Sequence, residues 1–186
     1  MFEAVRRAEA MGLVEPGAIS TPDASAIPRL VARLKHAGIA TAAADRLVGD
    51  PALSVREVPS LLESLIAALE ASPVPKFEWN RLTQIFDPED LAALLHISPS
   101  SLKRYQSGER TTPDLVAERL HFLALVVGDL SGSYNPIGIR RWFHRKRTQL
   151  DGQAPSGKLR GDWDPYDEGP ARVRALAREL VTLSGT

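Results

Sequence analysis

The sequence predicts an all-α protein, a helical bundle, and three observations support this. Apolar residues recur every three or four positions in several segments, which is the spacing of one face of a helix. Proline and glycine, with 14 and 13 residues in the chain, separate these segments. No segment has the pattern that predicts a β-strand. With 186 residues, 44% of them hydrophobic, the chain can form one or two modest domains with real cores.

The first 75 residues predict four helical segments, but they contain no motif that indicates a role. The helices are predicted at residues 2–11, from Asp23 to a break at Gly38, at residues 40–48 and at residues 54–71. Ser54 is the expected cap of the last of these helices. Residues 12–22 contain two glycines and two prolines and predict a loose arm, and Asp50-Pro51 predicts a second break.

Two more long helices are predicted further along the chain. Thr112 is the expected cap of a helix over residues 113–130, in which apolar residues cover more than one face. Such a helix is typical of central packing or of a dimer interface. A closing helix is predicted at residues 171–183, with Val173, Leu176 and Leu180 on one face.

Residues 87–108 predict two short helices around a tight turn. Asp87 is the expected cap of the first helix, and Ser98 of the second. Pro88 and Pro99 fit the first turn of each helix. The inward-facing positions are expected to be Leu91, Ala92, Leu94, Leu95, Ile97, Leu102 and Tyr105. His96 lies at the turn, where a left-handed backbone is common, and Gly108 is an expected C-terminal stop.

This pattern matches a helix-turn-helix, in which the second helix lies in the major groove of DNA. The side chains suited to phosphates and base edges are Ser98, Ser100, Ser101, Lys103, Arg104 and Gln106. The alternative is an ordinary pair of antiparallel helices within a bundle, with Lys103 and Arg104 merely solvated.

The charges are balanced overall but are unevenly distributed. The chain has 23 basic and 23 acidic residues, whereas a dedicated non-specific nucleic-acid coat protein would be strongly basic. Any DNA binding must therefore come from a local patch. One basic run consists of Arg140, Arg141, Arg145, Lys146 and Arg147. An acidic cluster follows at Asp162, Asp164, Asp167 and Glu168. We expect this cluster to be solvated or to pair with the basic run.

No pattern in the chain indicates an enzyme, so we expect no catalytic residue, no metal site and no cofactor. There is no cysteine, and the four histidines lack the HxxxH and HExxH spacings. Residues 152–158 superficially resemble a phosphate loop, but the spacing is wrong and no strand precedes it. No signal peptide and no membrane-length apolar run is evident. We therefore expect a cytoplasmic protein that does not bind a membrane.

The C-terminal part of the chain carries a family resemblance. After the helix-turn-helix pattern, Arg119 is followed by an apolar helix, by Trp142-Phe143 and by residues 150–159, which contain Leu150, Asp151-Gly152, Pro155 and Leu159. From about Trp79 to the C-terminus, this order resembles the Xre/MbcA/ParS antitoxins. The resemblance implies a Xre-like helix-turn-helix followed by a small C-terminal helical domain that binds a toxin.

The resemblance further implies a type II toxin–antitoxin system. The cognate toxin would be a RES-type enzyme that consumes NAD, and the complex would repress its own operon. The matching toxin-binding positions are Trp142, Phe143, Leu150, Gly152, Pro155, Leu159 and Trp163. The chain departs from the family at residues 144–147, where the family has a shorter and less basic turn. That basic turn could contact DNA phosphates instead. The alternative function is a stand-alone helix-turn-helix transcriptional regulator without a toxin partner.

These expectations give a domain division and an oligomeric state. Residues 1–75 form a helical region of unassigned role, residues 76–133 the DNA-binding region, and residues 134–186 the toxin-binding domain. Because pseudo-palindromic operators need two recognition helices, we expect a homodimer. The helix over residues 113–130 is the expected contributor to the interface, which Trp79 and Phe86 could join.

Overall fold

The structure of the protein, a computed structural model, describes residues 1–19, 21, 25–50 and 53–183. The helices are α1 (Phe2–Ala10), α2 (Ala26–His36), α3 (Thr41–Gly49), α4 (Val58–Ala71), α5 (Pro75–Thr83), α6 (Pro88–Leu95), α7 (Pro99–Gln106), α8 (Asp114–Leu130), α9 (Pro136–His144), α10 (Pro155–Lys158) and α11 (Glu168–Leu183). A 3-10 helix covers Thr148–Leu150. The described residues contain no strand, so the all-α prediction is confirmed. The predicted helix start at Asp23 and the breaker Pro51 lie outside the described residues.

Helix α8 is the centre of the bundle. Every residue from Arg119 to Leu130 is buried, and α1, α5, α6 and α11 pack around it. The part of α8 from Arg119 to Leu130, Trp79 and Phe86 lie inside a single chain, so they cannot supply the expected dimer surface. A helix that is apolar on all sides must be covered, and the chain's own helices cover it.

The predicted loose arm after α1 is in fact attached to the core. Met11, Leu13, Val14 and Ile19 are buried, and Gly12 has a positive φ of 74° that turns the chain back after the helix. Gly12, Pro16 and Gly17 correctly predicted turns, and Pro22 lies outside the described residues. They could not show that the apolar residues between the turns find a surface to pack on.

Helix α4 begins later than predicted, and Ser54 is not its cap. The Ser54 hydroxyl and backbone N–H both donate to the Glu57 carboxylate, at 2.8 and 3.1 Å. The turn that these bonds close comes before the helix, which starts at Val58. Capping motifs and short turns use the same serine–carboxylate chemistry, so the sequence alone does not separate them.

The predicted cap of α8 is also wrong. The N-cap residue is Pro113, and the hydroxyl of Thr112 instead accepts a hydrogen bond from the Trp79 indole N–H at 3.0 Å. A long-range partner has thus replaced the local one. Asp87 does occupy the N-cap position of α6, but its side chain makes no capping hydrogen bond.

A buried ionic network joins α1, α4, α8 and α11. Arg7 is only 4% exposed and lies 2.6 Å from the Asp129 carboxylate and 3.0 Å from that of Glu70. Arg174 lies 2.9 Å from Glu70, and so does Arg178. Each of these four helices contributes at least one charge, so the network fixes how they meet.

The pKa values of the two carboxylates in the network, Asp129 and Glu70, are shifted in opposite directions. Burial raises the pKa of Asp129 despite the neighbouring Arg7 guanidinium. Burial would also raise the pKa of Glu70, but the charges of Arg174, Arg7 and Arg178 outweigh it and hold that pKa below its usual value of 4.5. Glu70 is therefore the carboxylate whose ionised form stabilises the fold.

We expect Arg7→Met to lower the free energy of unfolding by about 1.5–3 kcal/mol, because the buried Asp129 carboxylate loses its charged hydrogen bond to Arg7, while Arg174 and Arg178 remain 3.8 Å away. The double variant Arg7→Met/Asp129→Leu should recover a substantial part of this loss, since the buried charge is removed as well. Urea denaturation followed by circular dichroism measures both. If the free energy lost by the double variant equals the sum of the losses in Arg7→Met and Asp129→Leu, the two side chains are not coupled.

We expect Glu70→Gln to lower the free energy of unfolding at about pH 7 by about 1–3 kcal/mol, through the loss of charged hydrogen bonds. Because the folded-state pKa of Glu70 is depressed, its stabilising effect is present above the unfolded-state pKa and is lost as the pH falls through the folded-state pKa. The difference in the free energy of unfolding between the variant and the parent should therefore become smaller below about pH 4.5. Urea denaturation at a series of pH values tests this, and a constant difference would contradict it.

Candidate nucleic-acid interface

The turn between α6 and α7 is set by two residues. His96 ends α6 in the left-handed region with a φ of 55°, as predicted, and this redirects the chain. Ser98 then caps α7 by accepting a hydrogen bond from the backbone N–H of Ser101 at 3.1 Å. Pro99 occupies the first turn of α7, and its fixed φ favours a helix start there.

The inner faces of α6 and α7 are fixed in the core, as predicted. The buried side chains are Leu91, Ala92, Leu94, Leu95, Leu102 and Tyr105, and Ile97, also predicted to face inward, is half-buried against the core. Tyr105 stacks on Trp79 of α5 with the ring centroids 6.2 Å apart, and the Trp79 indole N–H is held by Thr112. These contacts hold the inner face of α7 against the core. The outer face therefore belongs to a rigid element.

The outer face of α7 carries the side chains predicted to bind DNA. Ser100, Lys103, Arg104 and Gln106 are exposed, and Ser101 is half-buried. Within the described residues Lys103 makes no ion pair, and Arg104 has only a 3.9 Å contact with the exposed Glu109. Both cations therefore remain accessible to a partner.

Four of the predicted side chains have structural partners of their own. The Ser98 hydroxyl oxygen is committed to the cap and lies 2.9 Å from both the Ser100 and the Ser101 hydroxyl. The Gln106 amide donates to the Thr83 hydroxyl at 3.2 Å. Ser98 is thus chiefly a helix cap, and Gln106 would have to break a weak bond to reach a base.

Sequence reasoning missed Arg110. Its guanidinium lies 5.8 Å from the centre of the Tyr105 ring, and its backbone N–H donates to the Arg104 carbonyl at 3.1 Å. The left-handed Gly108, with a φ of 73°, folds this exposed cation back against the end of α7. The signal in the sequence was a basic residue just beyond the helix stop.

The positions predicted to bind a toxin lie almost entirely inside the protein. Trp142, Phe143, Leu150, Pro155, Leu159 and Trp163 are buried, and Gly152 is exposed in a turn with a φ of 74°. The Trp163 indole N–H donates to the Leu94 carbonyl at 2.9 Å. Buried side chains cannot contact a partner directly. These residues therefore form the core of the C-terminal region and are not part of its outer surface.

The acidic cluster is largely exposed, which fits the first of the two expected alternatives, and it does not pair with the basic run. No ion pair between described residues joins the two, and Asp162 instead pairs with Arg119 at 2.7 Å. Asp164 and Asp167 accept hydrogen bonds from backbone N–H groups of their own loop. The acidic residues stabilise a local turn, and Arg119 attaches that turn to α8.

The basic run is divided between internal and outward residues. Arg140 donates to the Ile85 carbonyl at 2.9 Å, and the Arg147 guanidinium lies 5.6 Å from the centre of the Trp142 ring. Arg141, Arg145 and Lys146 are exposed. In the part of the chain that the structure describes, these three cations have no ion pair.

A cleft lies between the end of α4, the middle of α8, the 165–166 loop and α11. Its volume is about 680 Å³, within the range of ligand and peptide sites. Tyr166 stands at its edge with 86% of its surface exposed, and Glu118 and Glu179 line it.

A buried acid–imidazole pair lies next to the cleft. His121 Nδ1 lies 2.6 Å from the Glu78 carboxylate, and His121 Nε2 lies 3.0 Å from the Glu70 carbonyl. Burial raises the pKa of Glu78, although the hydrogen bond to His121 opposes the shift. Both imidazole nitrogens are engaged within the protein, so the pair fastens α5 to α8 and no ring nitrogen is left for a ligand.

The chain was compared with known proteins at three levels, and no protein-family model, no curated protein and no solved structure matches it. Among the described residues, no group of three or more acidic or histidine side chains is arranged to hold a metal ion. The helices in the described ranges are too short or too polar to cross a bilayer.

Proposed function

We propose that this protein binds specific DNA sequences by placing α7 in the major groove. The observation that carries the proposal is the division of α7 into two faces. Leu102 and Tyr105 fix its inner face in the core, while Lys103 and Arg104 extend from its outer face without strong partners. The Ser100 hydroxyl is exposed and lies 2.9 Å from the Ser98 hydroxyl. A rigid, short helix with free polar and basic side chains fits the major groove of B-DNA.

The expected roles follow from the chemistry of each side chain. Arg104 is suited to a bidentate contact with a guanine edge, and Lys103 to a phosphate or a guanine oxygen. The Ser100 hydroxyl, near the start of α7, can contact a phosphate or a base. Because the net charge is zero, affinity depends on these local cations, and binding should weaken strongly with added salt.

A homodimer remains part of the proposal. Two copies would place two α7 helices about 34 Å apart, one turn of DNA. The interface must lie on exposed surface, since the buried length of α8 is not available. Since its partner would be chromosomal DNA, the proposed location is the cytoplasm.

We expect the variant Lys103→Ala/Arg104→Ala to lower affinity for a duplex selected from a random library by tenfold or more, because each lost base contact costs about 1–3 kcal/mol. Its preference for that duplex over an unrelated one should also fall. Fluorescence anisotropy at several salt concentrations measures both effects.

The control variant is Arg33→Ala/Arg56→Ala, which removes the same charge from exposed positions on α2 and on the turn before α4. It should leave affinity nearly unchanged. Equal affinity losses in the two variants would mean that α7 has no special role, and α7 would then be an ordinary bundle helix.

A second candidate function is that of an antitoxin. It rests on the resemblance of residues 79–186 to the Xre/MbcA/ParS antitoxins and on the cleft edged by Tyr166. In this function the surface of α11 and the 165–166 loop docks on a RES-type, NAD-consuming toxin and blocks its active site. The buried aromatic residues hold that surface in shape, and exposed groups such as Tyr166 and Glu179 make the contact.

We expect Tyr166→Ala/Glu179→Ala to weaken binding of a toxin encoded next to this gene by tenfold or more, because exposed aromatic residues are frequent binding hot spots. DNA binding should be unchanged. Phe2→Ala/Glu63→Ala removes a comparable exposed aromatic and acid elsewhere and should have no effect. Co-expression and copurification measure the outcome.

The competing function is a stand-alone regulator. It is the better account if no neighbouring gene product is toxic, or if toxicity persists with the parent chain present. A deletion from Gly161 onward does not separate these functions, because Val173, Leu176 and Ala177 of α11 are buried in the core against α8. Point substitutions on the outer surface avoid that loss of folding.

A further inference from the structure

Beyond α7, we propose that the turn at the end of α9 is a second DNA-binding element, a clamp for backbone phosphates. The clamp consists of Arg141, Arg145 and Lys146. The inference rests on the proposed binding of DNA by α7 and adds a second contact, at the opposite end of α6. The ligand chemistry is the phosphodiester backbone, without base recognition.

The position of the clamp is fixed by contacts to the start of α6. Arg140 donates to the Ile85 carbonyl at 2.9 Å, just before α6 begins. Phe143 meets Phe86 edge to face, with the ring centroids 5.1 Å apart. His144 Nε2 lies 3.3 Å from the Asp90 carboxylate in the first turn of α6. The cations on either side of His144 therefore lie beside the N-terminal end of α6.

The length of α6 relates the clamp to α7. Helix α6 has eight residues and is therefore about 12 Å long, close to the width of the major groove, about 12 Å. When the second helix of such a unit enters the groove, the first helix crosses the DNA backbone. The far end of α6, and the clamp beside it, then face the phosphates that border the groove.

The charges favour this assignment. Arg140 and Arg147 are used inside the protein, which leaves three exposed cations with no ion pair among the described residues. The first turn of α6 contains Glu89 and Asp90, which would repel DNA by themselves. The exposed N-cap residue Asp87 adds a third acid at this end of α6. The three cations offset these three acids, and because they make no ion pair with them, they stay free to reach phosphates.

The test uses the full-length chain with Arg141→Ala, Arg145→Ala and Lys146→Ala combined. Each phosphate contact contributes about 0.9 to the slope of log affinity against log salt. The triple variant should therefore bind both the selected duplex and an unrelated duplex more weakly, with the slope reduced by about 2–3. Its relative preference for the selected duplex should stay at the parent value, whereas the α7 variant changes that preference.

Two further variants make the result specific. Arg141→Lys/Arg145→Lys keeps the charges and should retain the parent slope. Arg33→Ala/Lys35→Ala/Arg56→Ala removes three exposed cations elsewhere and should also retain it. Thermal melts of all variants should stay close to the parent, because the changed side chains are exposed and the one ion pair that is lost in the described part of the chain, between Lys35 and Asp45, lies at the surface, where such pairs contribute little.

The outcomes separate this inference from the function on which it rests. If the α7 variant weakens binding but the triple variant has the parent slope, the clamp is wrong and the role of α7 stands. If the triple variant loses affinity only for vesicles rich in phosphatidylserine, or only for the toxin, the clamp is likewise wrong. If the parent chain binds no duplex in a salt-dependent way, both proposals fail.

Discussion

Three buried polar side chains on α8 determine how the rest of the chain is arranged. Arg119, His121 and Asp129 lie on a helix that is buried along most of its length. Burying a polar or charged group without a partner is costly, so each of the three must be met by another element. Arg119 is met by Asp162 of the C-terminal loop, His121 by Glu78 of α5, and Asp129 by Arg7 of α1. The apolar surface of α8 attracts neighbouring helices without direction, whereas these pairs specify which helix packs where.

The pair on α5 connects the core to the candidate DNA-binding surface. Glu78 is fully buried against His121, and the next residue, Trp79, stacks on Tyr105 of α7. The Trp79 indole N–H is bound by Thr112 between α7 and α8. The orientation of α7 is therefore linked to the centre of the bundle through two adjacent residues of α5. The exposed Lys103 and Arg104 are carried by an element that has little freedom to tilt, which suits a fixed docking geometry on DNA.

The C-terminal region is attached to the same unit and not held apart from it. Arg119 Nε donates to the Trp163 carbonyl at 2.6 Å, and the Trp163 indole N–H donates to the Leu94 carbonyl of α6. Phe143 packs on Phe86. The aromatic residues on which the family resemblance depends are thus used for packing, so a partner of this region would have to contact the side chains around them. This packing also explains why basic residues of α9 lie beside α6, where the sequence shows only a separation of about fifty positions.

The sequence by itself determined the local structure: helical periodicity, the proline and glycine breaks, the left-handed His96, the Ser98 cap and the exposed face of α7. These features depend on residues a few positions apart, so short-range sterics and hydrogen bonds decide them. Only the tertiary structure decided that α8 is covered by its own chain, that Thr112 binds Trp79 instead of capping a helix, and that Asp162 pairs with Arg119 rather than with the basic run. Those outcomes depend on partners far apart in sequence. The sequence offers each polar side chain several possible partners of the same chemistry, and only packing brings one of them within reach.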